Sequence, residues 1–138
     1  MLDTCPRERE RERGRTVRTA ANVLVVLVAA LHLYFLVLEM FLWQRRPGRE
    51  LSGFDADLAR TTAPLAANQG LYNGFLAAGL VWGLIAGGST TTGFQAQVFF
   101  LSCVVVAGVF GAATANRRIL FAQALPAALA LGAVLLAR

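Results

Sequence analysis

Four stretches of apolar residues, each long enough to form a membrane-spanning helix, occupy most of this chain. A helix needs about 20 apolar residues to cross a hydrocarbon core of roughly 30 Å. Of the 138 residues, 57% are hydrophobic and only 15% are charged, and a soluble domain of this size could not bury so much apolar surface. The sequence therefore predicts an all-α fold, an integral membrane four-helix transmembrane bundle, and excludes a soluble enzyme domain.

The membrane domain is predicted to cover residues 19–138. Its spans are expected at residues 20–43, 64–86, 94–114 and 119–137. The first would be about 36 Å long, which is too long for the apolar core of a secretory signal peptide, the alternative suggested by Arg15 and Arg18. In the loop 44–63, the pattern from Ser52 to Asp55 has the form of a capping box. It predicts a short surface helix with Phe54 and Leu58 turned toward the membrane.

Residues 1–18 contain an alternating arginine and glutamate run from Arg7 to Arg13. Because the run has no apolar stripe with which to dock, it predicts a solvated, disordered tail. All 13 basic residues are arginine, and the net charge is +5. This positive excess lies beside apolar runs, where arginine is first a signal of membrane topology. We therefore expect the lipid bilayer, and no nucleic acid, as a partner.

Small residues recur at every fourth position in three of the predicted spans. In lipid, helices associate through close backbone approach and interhelical hydrogen bonds, so such stripes predict contact faces. Two stripes on the second span predict that it has neighbours on two sides, in the bundle or in a homo-oligomer. The stripes are Gly70, Gly74 and Ala78; Gly79, Gly83 and Gly87; Ala107, Gly111 and Ala115; and Ala124, Ala128 and Gly132.

Polar side chains within the spans cluster at one predicted depth. Counted from the ends of their spans at about 1.5 Å per residue, four of them lie one to two turns below the membrane surface that carries the long loop. His32 precedes Glu39 by two helical turns and is expected on the same face, about 10 Å deeper. The predicted intramembrane site is His32, Glu39, Gln69, Asn73 and Gln123, with Asn68, Tyr72 and Asn116 at its rim.

A carboxyl or imidazole group within a membrane is costly and calls for a functional hypothesis. We expect Gln69 and Asn73 to be the partners of Glu39. The structural alternative is equally open: Glu39 could reach the headgroups or pair with Arg45 or Arg46, and the amides could serve only to hold helices together.

Gln95 and Gln97 are interpreted as first-turn residues rather than as a second site. The single histidine and two cysteines predict no metal site, no disulfide and no cofactor.

Two strings carry a family resemblance: HxxxxxxEMFLW, from His32 to Trp43, and NQGLYNGF, from Asn68 to Phe75. They resemble a family of small bacterial integral membrane proteins known as domain of unknown function 1304. The segments Phe110–Thr114 and Ile119–Pro126 are similar to the family's third and fourth spans. The likeness covers about residues 18–137. It implies four spans in a bacterial plasma membrane and no assigned activity, and the family usually lacks the arginine-glutamate tail.

Three functional hypotheses follow. The first is a transporter or solute-binding protein in which Glu39, with His32 deeper in the membrane, binds and releases a proton as a small-molecule ligand passes. The second is a structural or accessory protein whose polar cluster only fixes the helix register. The third, a membrane enzyme acting on an apolar substrate with Glu39 or His32 as general acid or base, ranks last.

Arginine counts nearly balance across the predicted membrane, with seven on the side of the tail and six on the side of the long loop. Without the tail the count becomes two against six, which favours a cytoplasmic long loop. We predict that a membrane-impermeant maleimide added outside intact cells labels Cys5, while Cys103, within the third span, stays unlabelled. Labelling of Cys5 only from the cytoplasmic side would reverse this orientation.

Overall fold

The computed structural model describes residues 6–138, and these residues are almost entirely helical. The elements are α1 (Pro6–Phe41), α2 (Arg46–Ser52), α3 (Ala56–Ala86), α4 (Thr91–Thr114), a π-helical turn (Leu120–Ala124) and α5 (Leu125–Leu136). No strand occurs between residues 6 and 138. The predicted all-α class is therefore confirmed. The helices fall into two compact units: unit 1 is the chain up to Val28 with Gly79–Arg138, and unit 2 is Ala29–Ala78.

The arginine-glutamate segment is helical, in contrast to the predicted disordered tail. Helix α1 begins at Pro6 and continues through the charged run, whose side chains are exposed. Arginine and glutamate are good helix formers, and lengthening an existing helix needs no new nucleus. The apolar part of α1 therefore supports a charged extension that packs against nothing. Residues 1–5, including Cys5, lie outside the described part of the chain.

The segment predicted as a loop with a surface helix is organised differently. Helix α2 occupies its first half and ends at Gly53, whose φ of 73° is the left-handed conformation that glycine tolerates best. Asp55, rather than Ser52, caps the next helix: its Oδ1 accepts hydrogen bonds from the Asp57 and Leu58 N–H groups at 3.1 and 2.8 Å. The predicted short helix is thus the first turn of α3, and Leu58 is exposed.

Helix α3 contains Pro64 in its interior, where the sequence predicted the start of the second span. Proline has no N–H, so the helical hydrogen bond to the Arg60 carbonyl is missing. The helix nevertheless continues from Ala56 to Ala86. Its first turns, up to the proline, are polar and largely exposed.

In unit 2, α1 and α3 approach closely along the first predicted glycine stripe. A Cβ atom at Gly70 would lie 2.7 Å from Met40 Cγ and 3.2 Å from the Leu36 carbonyl oxygen. At Gly74 it would lie 2.6 Å from Leu36 Cδ1. Gly70 and Gly74 therefore lie in a contact face, as predicted, and the backbone neighbour at Gly70 leaves little room for a side chain. Ala78, the third member of the predicted stripe, is exposed.

In unit 1, the second glycine stripe of α3 faces α4. A side chain at Gly79 would collide with the Phe100 ring, and one at Gly83 would reach Gln97 Cγ at 2.9 Å. Gly93, in the first turn of α4, packs directly against the Gly87 carbonyl. Helix α3 therefore uses two different faces, one in each unit, as the two stripes predicted.

The contact between α4 and the last helix uses a different residue from the predicted one. Gly108 is buried, and a Cβ there would lie 2.7 Å from the Ala124 nitrogen, whereas Ala107 is exposed. In the last helix Ala124, Ala127 and Ala130 are buried, while Ala128 is exposed. The predictions for Ala107 and Ala128 are therefore wrong, whereas Gly111 and Ala124, from the same two stripes, lie in the contact as predicted.

A π-helical turn immediately precedes α5. Leu125 donates its N–H to the Leu120 carbonyl, five residues back, so the turn holds one residue more than an α-helical turn. Pro126 follows immediately, and its ring would crowd the Ala122 carbonyl in a regular helix. The wider turn relieves that contact.

We predict opposite effects for two glycine-to-alanine changes. G108A should lower stability by about 1–3 kcal/mol because the methyl group meets backbone atoms that cannot move aside. G132A should be neutral or stabilising by up to about 1 kcal/mol, since a Cβ at Gly132 meets nothing within 4 Å. Thermal unfolding of the purified variants measures both, and equal effects would contradict the packing described for Gly108.

Candidate functional site

A hydrogen bond between two side chains of α1 and α3 forms the centre of the candidate site in unit 2. Asn73 Nδ2 on α3 donates to Glu39 Oε2 near the end of α1, at 2.7 Å. Asn73 is only 4% exposed, and Glu39 is half-buried. The close approach at Gly70 brings the two backbones near enough for these short side chains to meet.

Glu39 also lines a cavity of about 510 Å³ in unit 2. The other lining residues come from the end of α1, the turn that follows it and one position of α3: Met40, Phe41, Trp43, Gln44, Arg45 and Ala63. The cavity therefore combines a carboxyl group, a guanidinium, an amide and an indole. Such a mixed wall can bind a small solute that carries both polar and apolar groups.

Trp43 is held in place at the cavity wall. Its indole Nε1 donates to Thr62 Oγ1 at 3.0 Å, and its ring meets Phe54 edge-on at 5.9 Å between centroids. The Thr62 hydroxyl in turn donates to the Leu58 carbonyl at 2.8 Å. Trp43 was not among the predicted site residues. Its place in the EMFLW string, directly after Glu39, was the available signal.

His32 is completely buried on α1. Its ring lies edge-on to Phe35, with 6.2 Å between centroids. Two helical turns separate His32 from Glu39, about 10 Å along the axis. His32 and Glu39 thus lie two turns apart on one helix, and His32 is outside the group of residues that line the cavity.

Gln69 does not join the Glu39–Asn73 pair. It is exposed, as are the predicted rim residues Asn68 and Tyr72. The buried stripe of α3 passes through Ala66, Gly70, Asn73 and Ala77, with the alternating spacing of three and four that a period of 3.6 produces. Gln69 precedes Asn73 by four residues and lies at the outer edge of that stripe.

The remaining predicted residues belong to unit 1. Gln123 is half-buried within the π-helical turn. Asn116 is exposed in the turn before it, where its Oδ1 accepts a hydrogen bond from the Arg118 N–H at 2.9 Å. Asn116 therefore shapes the connection between α4 and the last helix.

Gln97, interpreted from the sequence as a first-turn residue, is a buried interhelical contact. It is 1% exposed, and its Nε2 donates to the Gly83 carbonyl at 3.3 Å. Asn22 lies nearby, because a Cβ at Gly88 would lie 3.4 Å from Asn22 Oδ1 and 3.5 Å from Gln97 Nε2. The available signal in the sequence was the GxxxG spacing of Gly79 and Gly83. It indicates a close helix contact, and the Gly83 carbonyl is the hydrogen-bond partner of Gln97.

The charged residues near Glu39 separate into two groups. Arg46 pairs with Glu50 at 2.7 Å within α2, so the alternative pairing of Arg46 with Glu39 is wrong. Arg45 lines the same cavity as Glu39 but forms no ion pair with it. Among residues 6–138, no group of three or more metal-ligating side chains is placed to hold a metal ion.

Residues 6–138 form an all-helical protein in which two helices are long and apolar enough to cross a membrane. These two are Arg7–Phe41 and Thr91–Thr114. The chain belongs to the family described as "Protein of unknown function (DUF1304)", whose model matches residues 26–135. Comparisons with curated proteins and with solved structures found no match.

We predict energetic coupling between Glu39 and Asn73. In a double-mutant cycle of E39L and N73L, the interaction free energy should be about 0.5–2 kcal/mol, because the two side chains share one hydrogen bond. Q69L provides the matched control, since Gln69 is exposed one turn earlier on the same helix, and its effect should add to that of E39L. Additive effects of E39L and N73L on thermal unfolding would contradict the hydrogen bond.

Proposed function

We propose that this protein is a four-span integral membrane protein of the bacterial plasma membrane that binds a small solute beside Glu39 and functions as a transporter. The observation that supports the proposal most directly is the position of the Glu39 carboxyl group. It accepts a hydrogen bond from Asn73 and lines a cavity of about 510 Å³.

The membrane part of the proposal rests on exposed apolar surface. Among the large hydrophobic side chains, Ile85 and Leu136 are 81% and 82% exposed, and Leu65 and Phe110 are similarly uncovered. Water would disfavour such a surface, whereas lipid tails match it. Lipid is therefore the environment that best accounts for these side chains.

Two further helices complete the proposed set of four spans. Helix α3 has the necessary length, and polar residues such as Gln69 and Asn73 interrupt its apolar run. The last segment, Leu120–Leu136, is apolar but shorter, and it includes the π-helical turn. A polar interruption at a binding site is expected in a transporter, where intramembrane polar groups mark the solute path.

Glu39 is the group best suited to a chemical role. As a carboxyl group it can exchange a proton with a passing solute or with water in the cavity, while Asn73 keeps one oxygen oriented. Arg45 and Gln44 offer donors to an acidic or carbonyl group of the solute, and Trp43 offers an aromatic face. His32, buried deeper on α1, is the second titratable side chain of the proposed path.

A fluorescence titration tests solute binding. In a W82F variant, Trp43 is the remaining tryptophan and reports on the cavity. We expect its emission to change with at least one member of a panel of amino acids, amines and carboxylic acids, and E39Q to weaken that response tenfold or more. E50Q is the matched control, because Glu50 lies on exposed α2, and it should bind as the parent does.

Uptake into proteoliposomes tests transport. We expect the reconstituted protein to accumulate the bound solute, and E39Q to lose this accumulation while E50Q retains it. Uptake that is indifferent to E39Q would refute the transporter proposal.

The alternative, a structural or accessory role, is favoured by one observation: the Glu39–Asn73 hydrogen bond by itself would fix the register of α1 against α3. In that case replacing both residues by leucine should leave function intact and raise the unfolding temperature, because a buried polar pair is exchanged for apolar contact. Loss of solute binding in a stable E39L/N73L variant would exclude this alternative.

Self-association is a further part of the proposal. Ala128 and Gly132 form an uncovered small-residue face on α5, with nothing within 4 Å of a Cβ built at Gly132. Such faces permit close helix approach between subunits in lipid. A second copy of the chain would cover this face in a homo-oligomer.

A further inference from the structure

Two arginines that are far apart in sequence line one small hollow in unit 1. Arg18 lies at the start of the apolar part of α1, and Arg138 follows α5. The hollow has a volume of about 80 Å³, and its other lining residues are Gly88, Ser89, Thr90, Thr91 and Phe94. No acidic side chain lines it.

Both guanidinium groups are held by contacts that leave donors free. Arg18 Nη2 donates to the Ala137 carbonyl at 3.5 Å. The guanidinium carbon of Arg138 lies over the Phe94 ring, 4.3 Å from its centroid. A guanidinium has five N–H donors, and stacking on an aromatic ring uses none of them.

Neither guanidinium forms an ion pair with an aspartate or glutamate side chain. The ion pairs within residues 6–138 are Arg46–Glu50 and Arg60–Asp57, and both lie in unit 2. Two unpaired positive charges at one hollow repel each other, so an anion placed between them would be stabilised by both.

Hydroxyl groups supply the remaining donors. Thr90 caps α4, because its Oγ1 accepts a hydrogen bond from the Gly93 N–H at 3.0 Å. Ser89 and Thr91, on either side of it, are exposed at the hollow. Two forked guanidinium groups with two hydroxyl groups suit a tetrahedral oxyanion with several acceptor oxygens better than a planar carboxylate.

We propose that this hollow, formed by Arg18, Arg138, Ser89 and Thr91, binds a phosphate group. Its source is either the headgroup of an anionic phospholipid or free inorganic phosphate. The lipid source rests on the membrane assignment proposed above, because Arg18, the turn before α4 and Arg138 would then lie at one membrane surface. The free-phosphate source does not require a membrane.

Thermal unfolding of the full chain in an uncharged detergent measures binding. Three additions are compared: short-chain phosphatidylglycerol, short-chain phosphatidylcholine, and sodium phosphate against sodium chloride at equal ionic strength. We expect phosphatidylglycerol or phosphate to raise the unfolding temperature in a saturable way. A response to phosphatidylglycerol alone assigns the lipid headgroup, and a response to sodium phosphate assigns the free anion.

Charge-matched variants test the site itself. R18Q/R138Q should raise the half-saturating concentration by about tenfold to a hundredfold, because charge-assisted hydrogen bonds are lost. R117Q/R118Q removes the same charge from the exposed turn before the last helix and should bind as the parent does. If both double variants weakened phosphate binding equally, the effect would come from net charge alone, and the proposal would be overturned.

A merely structural role for the two arginines predicts a different result. R18Q/R138Q would then unfold at a lower temperature by the same amount with and without phosphate, which would also overturn the proposal. Should this variant fail to fold, R18K/R138K keeps both charges and loses the forked geometry. We expect it to bind several-fold more weakly than the parent, and unchanged binding would contradict recognition by the guanidinium groups.

Discussion

Close backbone contact at glycine is the constraint on which this fold depends. In lipid, the environment proposed for these helices, apolar side chains gain little from burial against one another, so helix contacts must come from close backbone approach. Gly70 and Gly74 provide it between α1 and α3, Gly83 between α3 and α4, and Gly108 between α4 and the last helix. At Gly70, Gly83 and Gly108 a methyl group would lie within 3.2 Å of backbone atoms of the neighbouring helix.

The buried amides follow from the same constraint. Asn73 reaches Glu39 beside Gly70, and Gln97 reaches the carbonyl of Gly83 itself. A short or medium side chain can satisfy its hydrogen bonds across a helix pair only when the backbones are close. Each glycine contact therefore permits a polar group at depth, and each hydrogen bond fixes the register of the pair. Packing and polar chemistry are thus coupled at two separate places in the chain.

Much of this arrangement could be predicted from the sequence. The length of the apolar stretches predicts the helical class. The four-residue spacing of small residues predicts both contact faces of α3. Counting residues along the predicted spans brings Glu39 and Asn73 to one depth. Gln69 and Gln97 were misjudged because depth does not specify which side of a helix a residue occupies. The shift from Ala107 to Gly108 arises because residues on one helix face alternate in steps of three and four, whereas the predicted stripe used steps of four only. The helical form of the charged residues at the start of α1 was not predicted, because it depends on the apolar helix that follows them.

Pro64 adds a mechanical property to the candidate site. The missing hydrogen bond to the Arg60 carbonyl makes this stretch the softest part of α3, and the cavity residue Ala63 lies within it. Trp43, on the other wall, donates a hydrogen bond to Thr62 of this same stretch, so the two walls are linked there. The width of the cavity is therefore set by the bend of one helix at one position. Widening the cavity at Pro64 would break no backbone hydrogen bond at that position, because the proline lacks the N–H that would form it.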